Sequence, residues 1–305
     1  MSDVEIIEAM RLSDPTLLGT PAGILSIISH YNRPDVYVFR GYSEVIMYHH
    51  TIEEPFVKTL ETSNWSFDCV SRIIGAIGDI IYLEGIDKKD YILLAFDMRT
   101  CVLTYRCKMR LYSSICISSS GDMYMYDTFG NFYKFDPTTL VETKLPSITR
   151  LKTECQCFYH NGSVYALGGT NKNFVTTKHC ERFDIRENKW YTITSSPSPL
   201  TISFITVKDE SLIITAIRRN KSVFVYNTEE DKWTTVKWDK DFTKLPLRML
   251  QYNRGKFYAL TGACGHNPMN VIWETDSPEQ PWRSILEMAI ASSHPKLRVY
   301  LNNVH

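Results

Sequence analysis

Three residues of the stretch CQCFYHNG, Cys155, Cys157 and His160, are of the kinds a metal ion takes as ligands. Alternate residues of a strand face one side, which would bring the two thiols together. A tetrahedral ion would still lack a fourth ligand, and the spacing is unlike the paired Cys-x-x-Cys knuckles of structural zinc sites. Small buried strand cysteines are the favoured reading. Cys264 and His266 lie in GACGHNPM, which reads as a solvated turn. No cofactor or metal is expected. The chain has no glycine-rich loop ending in Lys-Ser or Lys-Thr, no His-Glu-x-x-His and no Gly-x-Ser-x-Gly. One short basic group, Arg218, Arg219 and Lys221 in AIRRNKS, could grip a carboxylate or phosphate.

Charge narrows the partners further. Lys plus Arg and Asp plus Glu both number 34, so no general field draws nucleic acid or an anionic membrane. The start, MSDVEIIEAMRLSD, lacks the basic beginning and apolar core of a secretory signal, and no run approaches a membrane helix. A soluble, cytoplasmic protein with free thiols is expected from its eight scattered cysteines.

The elements that must position these residues repeat. DVYVFRG from Asp35, DIIYLEG from Asp79, DMYMYDT from Asp122, SVYALGG from Ser163, SLIITAI from Ser211 and KFYALTG from Lys256 share one order. Their anchors, Tyr37, Tyr82, Tyr124, Tyr165, Ile213 and Tyr258, stand 41 to 48 residues apart, the period of a propeller blade or a helical solenoid repeat. Each anchor runs apolar for five to seven residues between Gly, Asp, Asn or Ser, which is a strand, whereas a helical repeat needs longer amphipathic stretches. Another short apolar run precedes each anchor as a hairpin partner. A third and fourth strand follow, as in CERFDIRENKWYTIT and SVFVYNTEEDKWTTVKW. Four strands per unit result.

An apolar strand ending in Gly168 and Gly169, then Phe183 and Asp184, then Trp190, resembles the kelch repeat. The glycines allow a turn where a β-carbon would clash, and the tryptophan covers a neighbouring blade. Other units keep parts: Tyr226 with Trp233, Trp273 with Trp282, Phe96 with Asp97 and Tyr105, Phe135 with Asp136, Tyr48 with Phe56. The expectation is an all-β, six-bladed kelch β-propeller of four-stranded antiparallel blades over residues 22–305, after a short helical remnant in residues 1–21. Three segments compete to complete the first blade beside DVYVFRG: residues 285–293, 23–31 and 296–301. The first is a good candidate, and a strand from the C-terminal side is expected at the axis. Trp282 opens WRSI, a pattern of short strand-adding anchors, but reads as a packed fourth-strand residue.

The N-terminal EAMRL resembles the end of a BACK region, as in proteins with a BTB domain, a BACK region and a kelch propeller. The chain is similar to the kelch repeat and BTB domain-containing subgroup of these substrate adaptors. The resemblance implies a binding module without catalysis. It would capture a protein substrate at its loop face for ubiquitination by a cullin-3 RING ligase, reached through a BTB region outside this chain. An actin-binding scaffold is the alternative and a propeller enzyme a remoter one; no sialidase Asp-box or copper-oxidase ligand set is visible. The loops between second and third strands place Arg40, Tyr42, Lys88, Phe129, Asn171, Asn173, Phe174, Arg218, Arg219, His266 and Asn267 at the rim, as partner-binding candidates.

Overall fold

The computed structural model describes residues 36–40, 44–48, 56–59, 67, 69–110, 112–127, 129–150, 155–171, 173, 175–200, 202–209, 211–216, 223–237, 247–253, 255–262, 269–289 and 297–301. Among them all regular structure is β-strand. The chain divides into two compact units, one of Met1–Arg110 with Ser293–His305 and the other of Leu111–Ser292.

The second unit holds four consecutive antiparallel four-stranded sheets. The first sheet contains β8 (Tyr112–Ile117), β9 (Met123–Asp127), β10 (Phe132–Asp136) and β11 (Val141–Leu145). Next come β12 (Gln156–His160), β13 (Ser163–Leu167), β14 (Cys180–Asp184) and β15 (Lys189–Ile193), then β16 (Ile202–Lys208), β17 (Ser211–Ala216), β18 (Val223–Asn227) and β19 (Lys232–Val236). The last contains β20 (Leu247–Asn253), β21 (Lys256–Gly262), β22 (Met269–Thr275) and β23 (Arg283–Ala289). First strands of successive sheets lie side by side, β8 by β12, β12 by β16 and β16 by β20. Blades of a propeller are arranged in this way.

The first unit holds two more such sheets. One orders β24 (Leu297–Leu301), β1 (Val36–Arg40), β2 (Glu44–Tyr48) and β3 (Phe56–Thr59). The other runs β4 (Cys69–Ile77), β5 (Ile80–Asp87), β6 (Asp90–Asp97) and β7 (Val102–Met109), and β24 lies beside β4.

All six anchors fall in the second strand of their sheet. Tyr37 pairs with Met47, Tyr82 with Ala95, Tyr124 with Lys134, Tyr165 with Arg182, Ile213 with Val225 and Tyr258 with Glu274. These strands run apolar because both faces are covered: every residue of β13 is buried. The fourth strands β11 and β19 instead hold only exposed and half-buried residues.

The core of the second unit lies between sheets. Tyr124, Tyr126 and Phe132 of one blade pack with Val164, Ala166, Phe183 and Trp190 of the next. Tyr165, Leu167 and Cys180 pack in turn with Phe224 and Tyr226. The Trp190 ring centroid lies 4.9 Å from Phe132, and its Nε1 donates to the Pro146 carbonyl at 2.8 Å. Trp233 repeats the device, donating to the Thr194 carbonyl at 2.8 Å. Each carbonyl stands just past the fourth strand of the preceding blade, so one tryptophan both fills an interface and closes a backbone group.

The turn after each third strand also recurs. Asp97, Asp136, Asp184 and Asn227 accept, through Oδ1, the amides two and three residues on, at 2.7 to 3.3 Å. Four residues after each stands a residue with positive φ: Cys101, Leu140, Asn188 and Asp231. The Asx turn is the physical content of Asp184 in DIRENK.

Two expectations are corrected. The run 285–293 does not complete the first blade: Arg283–Ala289 is the fourth strand of the last sheet, and Leu297–Leu301 pairs with β1, Tyr300 opposite Tyr37. Trp282 precedes β23 rather than lying in it, and Ser284 faces Trp273; the indole still packs beside Phe257 and Ala259. The helical remnant of residues 1–21 and the segment 23–31 lie outside the described residues.

Candidate functional site

In each antiparallel blade the connection from second to third strand emerges at the same end as the connection from the fourth strand to the next blade. Around β12–β15 these two connections are laced together. Leu200 donates its amide to the Thr177 carbonyl at 3.1 Å and accepts the Gly169 amide at 3.0 Å. Gly168 has φ +61, and a β-carbon there would stand 2.5 Å from the Leu200 β-carbon and 2.6 Å from its carbonyl oxygen. Gly168 is therefore required by close approach as well as by backbone conformation, and Gly169, with φ 89, by conformation.

The preceding connection is tied just as firmly. Glu181, fully buried in β14, accepts both the amide and the hydroxyl of Thr149, and its other oxygen lies 3.4 Å from His179 Nε2. Through Oε1 this buried carboxylate ties Thr149, just past β11, to β14.

Two loops project from this frame. In the β9–β10 connection Asp127 accepts the Phe129 and Asn131 amides at 2.8 Å, and Phe129 is left 79% exposed. In the β13–β14 connection Asn171 Oδ1 accepts the amides of Asn173 and Val175 at 2.9 and 3.0 Å, and Val175 is 58% exposed. Apolar side chains held out on hydrogen-bonded loops are what a protein-binding surface requires.

The rim residues expected from sequence divide accordingly. Phe129, Asn171 and Asn173 lie on second-to-third-strand connections of neighbouring blades, but Asn171 spends its side chain on its own loop. In the other unit, Lys88 has φ 55 and forms, with Lys89, the exposed hairpin turn between Asp87 and Asp90. Arg40 ends β1 opposite Glu44 and Leu297. Tyr42, Phe174, Arg218, Arg219, His266 and Asn267 lie outside the described residues. Sequence reasoning missed Val175, Glu181 and Thr149. Val175 lies in the loop GTNKNFVTTKH that the sequence already assigned to the rim, but nothing in its type set it apart from its neighbours, and a polar pair bridging two connections leaves no periodic signal.

Acid–base and thiol groups here are structural. Cys155 and Cys157 are buried among aromatic residues, while His160 stands out of alternation with them and so faces the other side of its strand. Burial pushes the Cys116 thiol far above its ordinary range. Cys101, Cys107, Cys116, Cys155, Cys157 and Cys180 form no disulfide. Among the described residues no group of three or more His, Cys, Asp or Glu side chains could hold a metal ion.

A Kelch motif family model matches residues 153–197, the span that holds all of β12–β15. The chain is also similar to the human Kelch repeat and BTB domain-containing protein 8, at 22% identity over 188 residues. That match covers 57% of this chain and 30% of the relative, so the chain spans under a third of the relative's length. The sheet β12–β15 thus lies in the span that matches the kelch motif, and its Asx turn recurs at Asp97, Asp136 and Asn227 in other sheets.

Proposed function

We propose that this chain is a protein-capturing kelch propeller. Its six four-stranded sheets serve as blades within residues 22–305, and its loop end takes a substrate protein for transfer to a cullin-3 RING ubiquitin ligase in the cytoplasm. The observation that carries this reading is the kelch repeat at residues 153–197, set in a frame whose connections are hydrogen-bonded to one another and expose Phe129 and Val175. The likeness to a relative whose name includes a BTB domain supports the adaptor role. A BTB region outside this sequence would hold cullin-3. The propeller itself would make and break no bonds, and would raise the local concentration of substrate lysines near the charged conjugating enzyme.

Arg218 and Arg219 replace the glycine pair of the kelch repeat in the fifth blade. Two guanidinium forks there suit an acidic or phosphorylated segment of the partner. The test is capture from cytoplasmic lysate by the wild-type chain and by R218E/R219E and F129A variants of matched melting temperature, followed by calorimetry with each recovered partner. Loss of at least about 2 kcal/mol, roughly thirtyfold in affinity, is expected for the double arginine variant. A partner whose ubiquitination stops when cullin-3 is depleted completes the assignment. Unchanged affinity in both variants, or partner levels indifferent to cullin-3, overturns it; co-sedimentation with filamentous actin would then favour the scaffold reading.

A further inference from the structure

The connection from β15 to β16 reads TSSPSPL over residues 194–200, with two Ser-Pro dipeptides two residues apart. The fold treats the two serines oppositely. Ser196 is 2% exposed; its amide donates to the Lys178 carbonyl at 3.0 Å and its hydroxyl to the Ser198 carbonyl at 2.7 Å. Leu200 is fully buried and locked to Gly169 and Thr177. Between these anchors Pro197, Ser198 and Pro199 form an arch, the prolines exposed and Ser198 half-buried. Pro199 drives Ser198 towards extended backbone and Pro197 fixes its own φ. The Ser198 hydroxyl bonds to no described residue. Lys178 Nζ donates to the Pro197 carbonyl at 2.7 Å, which puts an ammonium group on the same arch.

We propose that Ser198 is a phosphorylation site for a proline-directed serine/threonine kinase, and that Ser196 is not. Such kinases need a reachable serine followed by proline, and Ser198, half-buried on a bend between two exposed prolines, offers one. Ser198 Oγ would attack the γ-phosphorus of ATP, the bond from that phosphorus to the β,γ-bridging oxygen would break, ADP would leave, and the hydroxyl proton would pass to the kinase base. The product carries a charge of roughly −1.5 to −2 at neutral pH, with the Lys178 ammonium on the same arch to receive it. The arch is bonded to the β13–β14 connection, so the modification places charge on the rim; an effect on partner capture rests on the function proposed above, whereas the modification itself does not.

The test uses the whole folded chain, a recombinant kinase of the mitogen-activated class, magnesium and ATP, with sites assigned by tandem mass spectrometry. Ser198 should be modified at least about tenfold faster than Ser196, equivalent to about 1.4 kcal/mol in barrier. S198A should abolish the fast incorporation, S198T should retain it, P199A should slow it by a similar factor, and S196A should leave it unchanged. A synthetic peptide spanning residues 192–203 should lose the preference, both serines reacting at comparable rates. A folded chain unmodified at Ser198, equal rates at both serines, indifference to P199A, or a preference that persists in the peptide would each overturn the assignment. Circular dichroism melts of each variant confirm that the comparison is between folded proteins.

Discussion

At Glu274, burial and charge act in opposite directions. Burial raises its carboxyl, but Arg283 and Lys256, both ion-paired to Oε1, outweigh burial and hold it below its ordinary value of 4.5. A carboxyl lowered in the folded state contributes stability above its unfolded pKa and loses it as pH falls through the folded value. The melting temperatures of wild type and E274Q should therefore differ most near neutrality and converge between about pH 6 and pH 3. A gap independent of pH would mean that the ion pairs stabilise nothing. The same sign holds at Asp136, whose carboxyl is lowered first by the Thr138 amide, but that group is solvent-exposed and its share is correspondingly small.

The kelch tryptophan is the element-scale device, and its two instances are not equal. Trp190 is 6% exposed between Phe132 and Phe183, whereas Trp233 is only half-buried against Tyr226. W190A should destabilise by about 3 to 5 kcal/mol and W233A by less, about 2. Equal losses in chemical denaturation would show that the carbonyl hydrogen bond common to both, rather than buried area, dominates. The anchors Tyr82, Tyr124 and Tyr165 were legible in sequence because second strands are covered on both faces and so run apolar. Which strand completes the first blade was not legible. Ile285, Leu286 and Met288 are as apolar as an inner strand, yet Leu286 and Met288 pair locally with β22, the register skipping Ile285, which closes a far smaller loop than a return to β1 would. The shorter LRVYL was left for the distant partner. The rim was half legible: the positions of Phe129 and Asn173 followed from blade order, while the Thr149–Glu181 tie did not, because it joins residues of unlike types that no period connects.

At the scale of the molecule, β24 is what denies β1 a free edge. Five backbone pairs, from Val36 with Leu301 to Arg40 with Leu297, cover it. Deleting residues 297–305 should leave β1 open to pairing with another chain, so the truncated protein should elute as larger species in a concentration-dependent way. A truncated chain that stays monomeric with an unchanged melting temperature would show that this pairing is dispensable. The partners of that pairing lie near opposite ends of the chain, which gives its formation a timetable. Ribosomes add roughly 5 to 20 residues each second, so β1, β2 and β3 leave the tunnel tens of seconds before the strand that pairs with β1 exists. The sheets β8–β11 to β20–β23, each built from neighbouring strands, can assemble in the interval. The sheet of β1 is consequently finished only after those four, and its newborn form is the one a chaperone would have to shield.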